Sequence, residues 1–327
     1  MSNLNKIEVS LVTPVYNESQ NLDNLYLDLC KQEGVFFEWV LIDDGSTDNS
    51  VDTIKKIIEF HDSNNFKITL IEQCNSGAAA ARRAGVAVAA SELVAILDAD
   101  DKISHDALRL ALDKFRDDID IVCFQLSICN KDGSTNSEFK YSPNTWPISG
   151  RQGFSQCIDS WGLTGLFMIR KSLFKSVYEV YDNYITTNTV SGDEFISRLC
   201  MYFARMIDIC DGRYFYFIND SSTTRAINEN YYKTIFTSLS LHDFINDHGE
   251  DDSIKKSQRN LLHTFRMVLK KYNKDKKEMK NRDDWIISLV ELAKKINISL
   301  VIKEEAKARR LHRTWKQILF AFVLKFK

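Results

Sequence analysis

The first 130 residues alternate between short apolar runs and stretches of helical spacing. Ile7–Thr13 is apolar and β-branched, and Pro14 reads as the turn that ends it. Phe36–Ile42, Phe66–Ile71, Leu93–Leu97 and Ile119–Leu126 repeat that strand character. Between them, Asn21–Lys31, Ser50–Phe60, Ala78–Ala90 and Ala107–Phe115 read as helices. The third is made of small residues, which allows close packing on a sheet. Near-continuous apolar strands alternating with helices predict an α/β fold, a mostly parallel, Rossmann-like sheet with helices on both faces.

Beyond residue 130 the pattern loosens. Asn130–Gly153 is polar and turn-rich, Trp161–Ile169 is apolar with spaced glycines, and Ser176–Val190 reads as a mobile loop. Asp193–Arg205 is an amphipathic helix whose apolar face carries Phe195, Ile196, Leu199, Tyr202 and Phe203. Tyr214–Ile218 reads as a strand, Asn219–Asn230 as a polar loop, and the chain from Tyr231 onward as all-helical. There are no internal repeats. No apolar run approaches the ~20 residues of a membrane-spanning helix.

Composition adds class. With 44% hydrophobic and 27% charged residues among 327, the chain can bury a substantial core, which excludes disorder. The net charge of −2 conceals two opposed parts. Residues 251–327 hold 21 Lys and Arg against 9 Asp and Glu, a net +12, so the remainder carries −14. The basic part wants an anionic surface, and the acidic part can hold a metal. Seven scattered cysteines with no C-x-x-C pair read as reduced thiols. Met1–Glu8 lacks a basic segment followed by an apolar one, so the expected location is cytoplasmic.

The polar residues of the first half fall just after strands. Tyr16-Asn17-Glu18 follows the first, Asp43-Asp44 the second, and Asp98-Ala99-Asp100-Asp101 the fourth. Ligands of open α/β sheets bind beyond the carboxyl ends of the strands, so these clusters belong to one site. A lone Asp there, such as Asp48 or Asp106, is better read as a cap or turn former. No G-x-G-x-x-G turn and no G-x-x-x-x-G-K-[ST] loop is present, which excludes dinucleotide and P-loop chemistry. Asp98 and Asp100 instead offer carboxylates to a hard divalent ion, Mn²⁺ or Mg²⁺, whose shell substrate phosphates and water would complete.

Four motifs in order carry a resemblance: Thr13-Pro14-Val15-Tyr16-Asn17-Glu18, Ile42-Asp43-Asp44-Gly45-Ser46-Thr47-Asp48-Asn49-Ser50, Asn75-Ser76-Gly77 with Ala81-Arg82 and Gly85, and Leu97-Asp98-Ala99-Asp100-Asp101. Together they resemble the family 2 glycosyltransferases of GT-A fold, of the bacterial surface-polysaccharide type. The close resemblance covers residues 7–110. A looser one reaches residue 225 through Gly192-Asp193-Glu194-Phe195-Ile196-Ser197-Arg198.

The resemblance implies a domain over residues 1–228, with a nucleotide-sugar-binding half (1–110) and an acceptor-side half (111–228), followed by a helical region (229–327). It implies donor contacts from Thr13, Pro14, Tyr16, Glu18, Asp44, Asn75, Gly77, Arg82 and Asp98. Asp100 would bind the metal, with Asp98 beside it, and Asp193 would be the catalytic base. Where the family often has Asn after the arginine, this chain has Arg83. The acidic pair, often Glu-Asp, is Asp193-Glu194 here, and reading the register from Glu194 would move the base by one residue. Glu194 would stand on the acceptor side; Trp161 reads either as an aromatic platform for an acceptor sugar or as a core tryptophan, and Arg225, in a Ser/Thr-rich loop, either as closing over the diphosphate or as a solvated surface arginine.

The expected reaction is an inverting, metal-dependent transfer from a nucleotide sugar, with UDP favoured, to a glycan hydroxyl. One base and no protein nucleophile gives single displacement. The tail bears Lys303, Lys307, Arg309, Arg310, Arg313 and Lys316, then Trp315 and the apolar run Ile318–Leu324. That is too short to span a bilayer but suited to lie on an anionic membrane surface, so the enzyme is expected on the inner face of the membrane with a lipid-linked or membrane-near acceptor. The alternative for the tail is docking on the enzyme body or on another copy, a homo-oligomer. Nucleic acid is not expected as a partner, since acids interrupt the basic residues. A nucleotidyltransferase would need a glycine-rich basic loop that Thr13–Gln20 lacks. A receiver-like signalling domain would need an Asp after the third strand and a Lys after the fifth, where Glu72-Gln73 and Ser127-Ile128 stand.

Overall fold

A computed structural model describes residues 6–185, 190–218, 228–307, 316 and 318–323. They form two compact units. The first takes the chain up to Gly153 together with Gly162–Tyr178 and Cys200–Ile218, and the second takes Phe154–Trp161, Glu179–Leu199 and the described residues after Ile218.

The first unit is built on a ten-stranded sheet. Its strands are β1 (Val9–Val15), β2 (Phe37–Asp43), β3 (Phe66–Glu72), β4 (Leu93–Ile96), β5 (Lys102–Ile103), β6 (Ile119–Cys129), β7 (Thr135–Glu138), β8 (Ile148–Ser149), β9 (Phe167–Arg170) and β10 (Met206–Phe217). The order is β3-β2-β1-β4-β9-β6-β10-β5, with β7 on β6 and β8 on β10. The helices before residue 130 are α1 (Leu22–Leu29), α2 (Ser50–Phe60), α3 (Ala78–Val88) and α4 (Ala107–Leu112), close to where the apolar period places them. Then come α5 (Gly150–Cys157), α6 (Lys171–Tyr184) and α7 (Gly192–Phe203), of which residues 154–157, 179–184 and 192–199 count to the second unit.

The four strands β1 to β4 pair in parallel, as do β6 and β10. Antiparallel β9 joins the two blocks by pairing with β4 and β6. Register decides where the acids go. Val15 pairs with Asp43 and Asp43 with Glu72, so these strands end level. Val12 pairs with Ile96, which brings Asp98 level with Pro14. The acidic clusters therefore share one edge of the sheet.

Three expectations need correction. Pro14 does not end the first strand but lies inside β1, opposite Ile42. Its missing N–H is tolerated because β4 pairs β1 only through Val12. Ser176–Val190 is not all loop, since α6 runs to Tyr184 and buries Phe174, Val177 and Tyr178. That apolar spacing is helical, but interleaved Lys, Ser, Glu and Asp obscure it. The stretch expected to be turn-rich contains β7, β8 and the start of α5.

The sheet core holds Phe37, Trp39, Leu41, Ile54 and Phe66, with Phe37 and Phe66 stacked at 4.7 Å. The small residues of α3 do what their size allows. A Cβ on Gly85 would stand 2.3 Å from Val12 Cγ1, so only glycine lets α3 approach β1 this closely.

The second unit adds α8 (Thr234–His248), α9 (Asp251–Asp275), α10 (Arg282–Lys295) and α11 (Ile298–Lys307). Leu261, Phe265 and Val268 of α9 pack with Trp285, Leu289 and Leu292 of α10 and Val301 of α11. Ile318 and Ala321 join this core, whereas Leu319, Phe320, Phe322 and Val323 remain exposed. Among the described residues no helix is long and apolar enough to cross a membrane.

Candidate functional site: acidic strand ends and a cavity in the helical unit

The turn after β1 is locked onto the turn after β2. Asn17 takes a left-handed φ of +59°, and its Oδ1 accepts from the backbone N–H of Thr47 at 2.8 Å and of Asp48 at 3.3 Å. Glu18 N–H donates to Ser50 Oγ at 2.9 Å. Tyr16 stands half exposed beside this lock, and Pro14 is half-buried. Thr13 is buried, its hydroxyl accepting from Trp39 Nε1–H at 2.9 Å. It holds the indole in place rather than facing outward.

Asp44 organises the entry to α3. Its carboxylate accepts from Gln73 Nε2 at 2.7 Å and from the backbone N–H groups of Ser76 and Gly77, both at 2.8 Å. The neighbouring Asn75 is exposed. Gly45 makes room for this loop: it sits at φ +75°, and a Cβ there would lie 2.9 Å from Asn75 N.

The third cluster is a network of its own. Arg82, on α3, donates from one nitrogen to both oxygens of Asp98 at 2.8 and 3.1 Å. Asp98 N–H donates to Tyr214 Oη at 3.3 Å, and that hydroxyl donates to Asp101 Oδ2 at 2.8 Å. Asp101 Oδ1 accepts from Phe217 N–H at 2.9 Å. Burial, with the charge of Asp98 adding to it, pushes the Asp101 carboxyl well above the carboxylate range. Burial and then the charges of Asp100, Asp98 and Asp48 lift Glu18 as well, against a hydrogen bond from Asn21. Asp48 goes the other way. Although burial opposes it, hydrogen bonds from Ser50 and Ser19 hold it down at about 2.

Carboxylates that raise one another's proton affinity are a field a cation would relieve. Among the described residues no three His, Cys, Asp or Glu side chains form a metal-binding group. That donor set fits a hard ion that takes one or two carboxylates and completes its shell with phosphate and water, not a dedicated protein cage.

In the second unit, Ser191 at φ +63° turns the chain into α7, whose first turn carries Asp193 and Glu194. Asp193 is exposed, and Glu194 lines a cavity of about 450 Å³. Glu194 Oε2 accepts from Arg198 at 3.2 Å. Buried Arg198 also donates to Cys157 O at 2.6 Å and lies 4.1 Å over the Trp161 ring. Trp161 lines the same cavity, as do residues of α8 and α9. Tyr231 and His263, also on its wall, both sense the Glu194 charge. Burial, with that charge added, raises the tyrosine. Burial lowers the histidine, with Arg266 assisting and Glu194 opposing. Arg225, Arg309, Arg310, Arg313 and Trp315 lie outside the described residues.

Residues 10–177 match the model of Glycosyl transferase family 2, which is half of the chain. The chain belongs to that family. An Escherichia coli chondroitin synthase is 27% identical to this family member over 59% of its length and 28% of the relative's. A Proteus mirabilis undecaprenyl-phosphate 4-deoxy-4-formamido-L-arabinose transferase is 40% identical over 31% of each chain. The chain thus spans about a third or less of either relative. In fold it is similar to S. aureus TarS 1–349, solved in complex with UDP-GlcNAc, with a TM-score of 0.65 over 97% of this chain and 89% of that one at 17% identity. The sheet of this family 2 member is accordingly of GT-A type.

Several residues that shape these two places carried no role in the sequence reading. Tyr214 and Gln73 tie down Asp101 and Asp44, yet each sits 29 or more positions from its partner. Asn260, His263 and Thr264 line the cavity from α9, and Thr234, Thr237 and Ser238 from α8. Their signal was available as a polar i, i+3, i+4 spacing on each helix, the reverse of the apolar stripe that sequence reading seeks.

Proposed function

We propose that this protein transfers a sugar from a nucleotide-sugar donor, a UDP-sugar, to a hydroxyl of a glycan acceptor. The observation that carries the reading is the shared edge of β1, β2 and β4, where Glu18, Asp44, Asp98 and Asp100 gather beside Arg82. Asp44, Asn75, Gly77 and Tyr16 would meet the nucleoside, and Arg82 with Asp98 would stand near the ribose, while Pro14 and Thr13 shape the wall. Asp100, with Asp98 beside it, would hold Mn²⁺ or Mg²⁺. Such an ion supplies charge to the departing diphosphate. The UDP-GlcNAc complex of TarS supports uridine as the donor base.

A carboxylate in the first turn of α7 takes the proton of the attacking hydroxyl, and with no protein nucleophile the displacement inverts the anomeric centre. The family resemblance assigned this to Asp193. The cavity-facing position of Glu194 favours moving the assignment by one residue, with Asp193 as the second reading. The lipid carrier in the name of the Proteus relative supports a lipid-linked acceptor. The exposed face of residues 318–323 supports contact with an anionic membrane on the cytoplasmic side.

Calorimetry with UDP, GDP and their sugars, with and without Mn²⁺, tests the donor site. UDP should bind, Mn²⁺ should tighten it, and Asp100→Asn should remove the metal effect while leaving the melting temperature unchanged. Full activity in excess chelator would take the metal out of the mechanism.

A further inference from the structure

The three acids after β4 are not alike. Asp98 and Asp100 are half-buried, whereas Asp101 is only 2% exposed. Asp101 N–H donates to Asp98 O at 3.1 Å, so residues 98–101 close one tight turn with Asp100 at its third position. Burying a carboxylate beside two others is costly unless its oxygens are bonded. Both are, and both by β10. Asp101 Oδ2 accepts from the Tyr214 hydroxyl at 2.8 Å, and Oδ1 accepts from Phe217 N–H at 2.9 Å.

Tyr214 also holds the other end of the same turn. Its side chain is 1% exposed, and its hydroxyl accepts from Asp98 N–H at 3.3 Å while donating to Asp101. A hydroxyl has one proton to give and lone pairs to accept with, and this one uses both on the first and last residues of the turn. In the sheet β10 is not a neighbour of β4, since β9 and β6 lie between them. The chain crosses that gap directly after Asp101, where Lys102 and Ile103 pair antiparallel with Phe215 and Tyr214. Main-chain and side-chain bonds therefore fasten the turn to one short stretch of β10. A turn that only connected two strands could leave these groups to solvent.

We propose that Tyr214 and Asp101 are positioning residues for the metal-binding turn. By holding both ends of the turn against β10, they set the placement of Asp100 and with it the affinity for the divalent ion. The inference rests on the nucleotide-sugar reading and adds to it two residues that touch neither donor nor metal. Groups that orient a metal ligand from behind are typically worth ~10–100-fold in metal affinity. A ligand left free to move must be ordered at the moment of binding, and that ordering weakens the complex.

Calorimetry on the full chain tests it, with UDP as the probe in chelator and in Mn²⁺. The ratio of the two affinities is the metal effect, and a cooperative melt confirms that each variant is folded. Tyr214→Phe keeps the ring and removes the hydroxyl. It should bind UDP in chelator within about twofold of wild type and lose tenfold or more in Mn²⁺. Asp101→Asn keeps an acceptor for Phe217 N–H and gains an amide that can donate to Tyr214 Oη, so it should keep the metal effect within about threefold. Asp101→Ala keeps neither bond and should lose the effect as Tyr214→Phe does. An unchanged metal effect in Tyr214→Phe overturns the proposal. So does an equal fall of UDP affinity in chelator and in Mn²⁺, the mark of a merely structural role. Loss of the effect in Asp101→Asn also overturns it, because the charge of Asp101 and not its bonds would then act on the ion. If Tyr214→Phe does not fold, Asp101→Asn against Asp101→Ala decides: retention in the first with loss in the second supports the proposal, and any other pattern overturns it. A wild type that binds no UDP, or whose UDP affinity Mn²⁺ does not raise, fails the donor or the metal reading and this inference with it. A metal effect equal in wild type and Tyr214→Phe fails this inference alone.

Discussion

The acidic edge of the sheet and the cavity of the helical unit are both polar, yet they are satisfied by different kinds of partner. At the sheet edge, Asp44, Asp98 and Asp101 each accept hydrogen bonds from their own unit, from Gln73, Ser76 and Gly77, from Arg82, and from Tyr214 and Phe217. On the cavity wall the charges are paired, Arg198 with Glu194 and Asp159 with Arg259, and the hydroxyls of Thr234, Thr237 and Ser238 bond within their own unit. A site prepared for charge must be held rigid against repulsion among its own carboxylates, as the raised affinities of Glu18 and Asp101 for protons attest. The cavity wall carries neutral hydroxyls and closed ion pairs, and a neutral group costs far less to leave unmet than an unpaired charge.

The largest expected effect would break the comparison at Glu194, the carboxylate that α7 brings to the cavity wall. Glu194→Gln should leave UDP binding intact and lower transfer by roughly 10²–10⁴-fold, the usual worth of general base catalysis. If Asp193→Asn is instead the inactive variant and Glu194→Gln turns over normally, the base is not on the cavity, and the two carboxylates exchange roles.

The next effect concerns the outer face of the helical unit. Leu319→Glu with Phe322→Glu alters exposed side chains and spares the buried Ile318 and Ala321. Flotation with anionic vesicles should show at least tenfold weaker binding at an unchanged melting temperature. Equal vesicle binding by this variant would end the membrane reading, and a changed sedimentation mass would make the face an assembly surface.

Packing beneath the sheet edge gives the third. Gly85→Ala places a methyl group 2.3 Å from Val12 Cγ1 and should cost ~1–3 kcal/mol in urea denaturation. Because α3 carries Arg82, UDP affinity should fall with it.

The smallest effect is a pH dependence confined to the helical unit. His242 and His263 are held below the histidine value of 6.5, by burial first in both cases. Each binds its proton less tightly folded than unfolded. The stability they lend is complete above pH 6.5 and is lost as pH falls through the lowered folded values. Melts followed by tryptophan fluorescence should fall between pH 7.5 and 5.5, and His242→Gln with His263→Gln should flatten that fall. An unchanged slope would assign the acid sensitivity elsewhere.

How much of this was legible follows from the range of each signal. The strands, the helices between them and the acidic clusters after β1, β2 and β4 were set by periodicity and by residues adjacent in the chain. Burial on both faces forces continuous apolar strands, and a parallel sheet puts their carboxyl ends on one side. The motifs at those ends also carried the family. What the sequence alone did not contain is everything that depends on distant partners. It did not place Pro14 inside β1, since that depended on where β4 stops pairing. It did not show that Thr13 faces Trp39, that Tyr214 reaches Asp101 across 113 positions, or that Phe154–Trp161 and Glu179–Leu199 join the helical unit. Nor did it distinguish Asp193 from Glu194: adjacent positions in the first turn of a helix differ by about 100° of rotation, and only the packing around α7 decides which of the two faces the cavity.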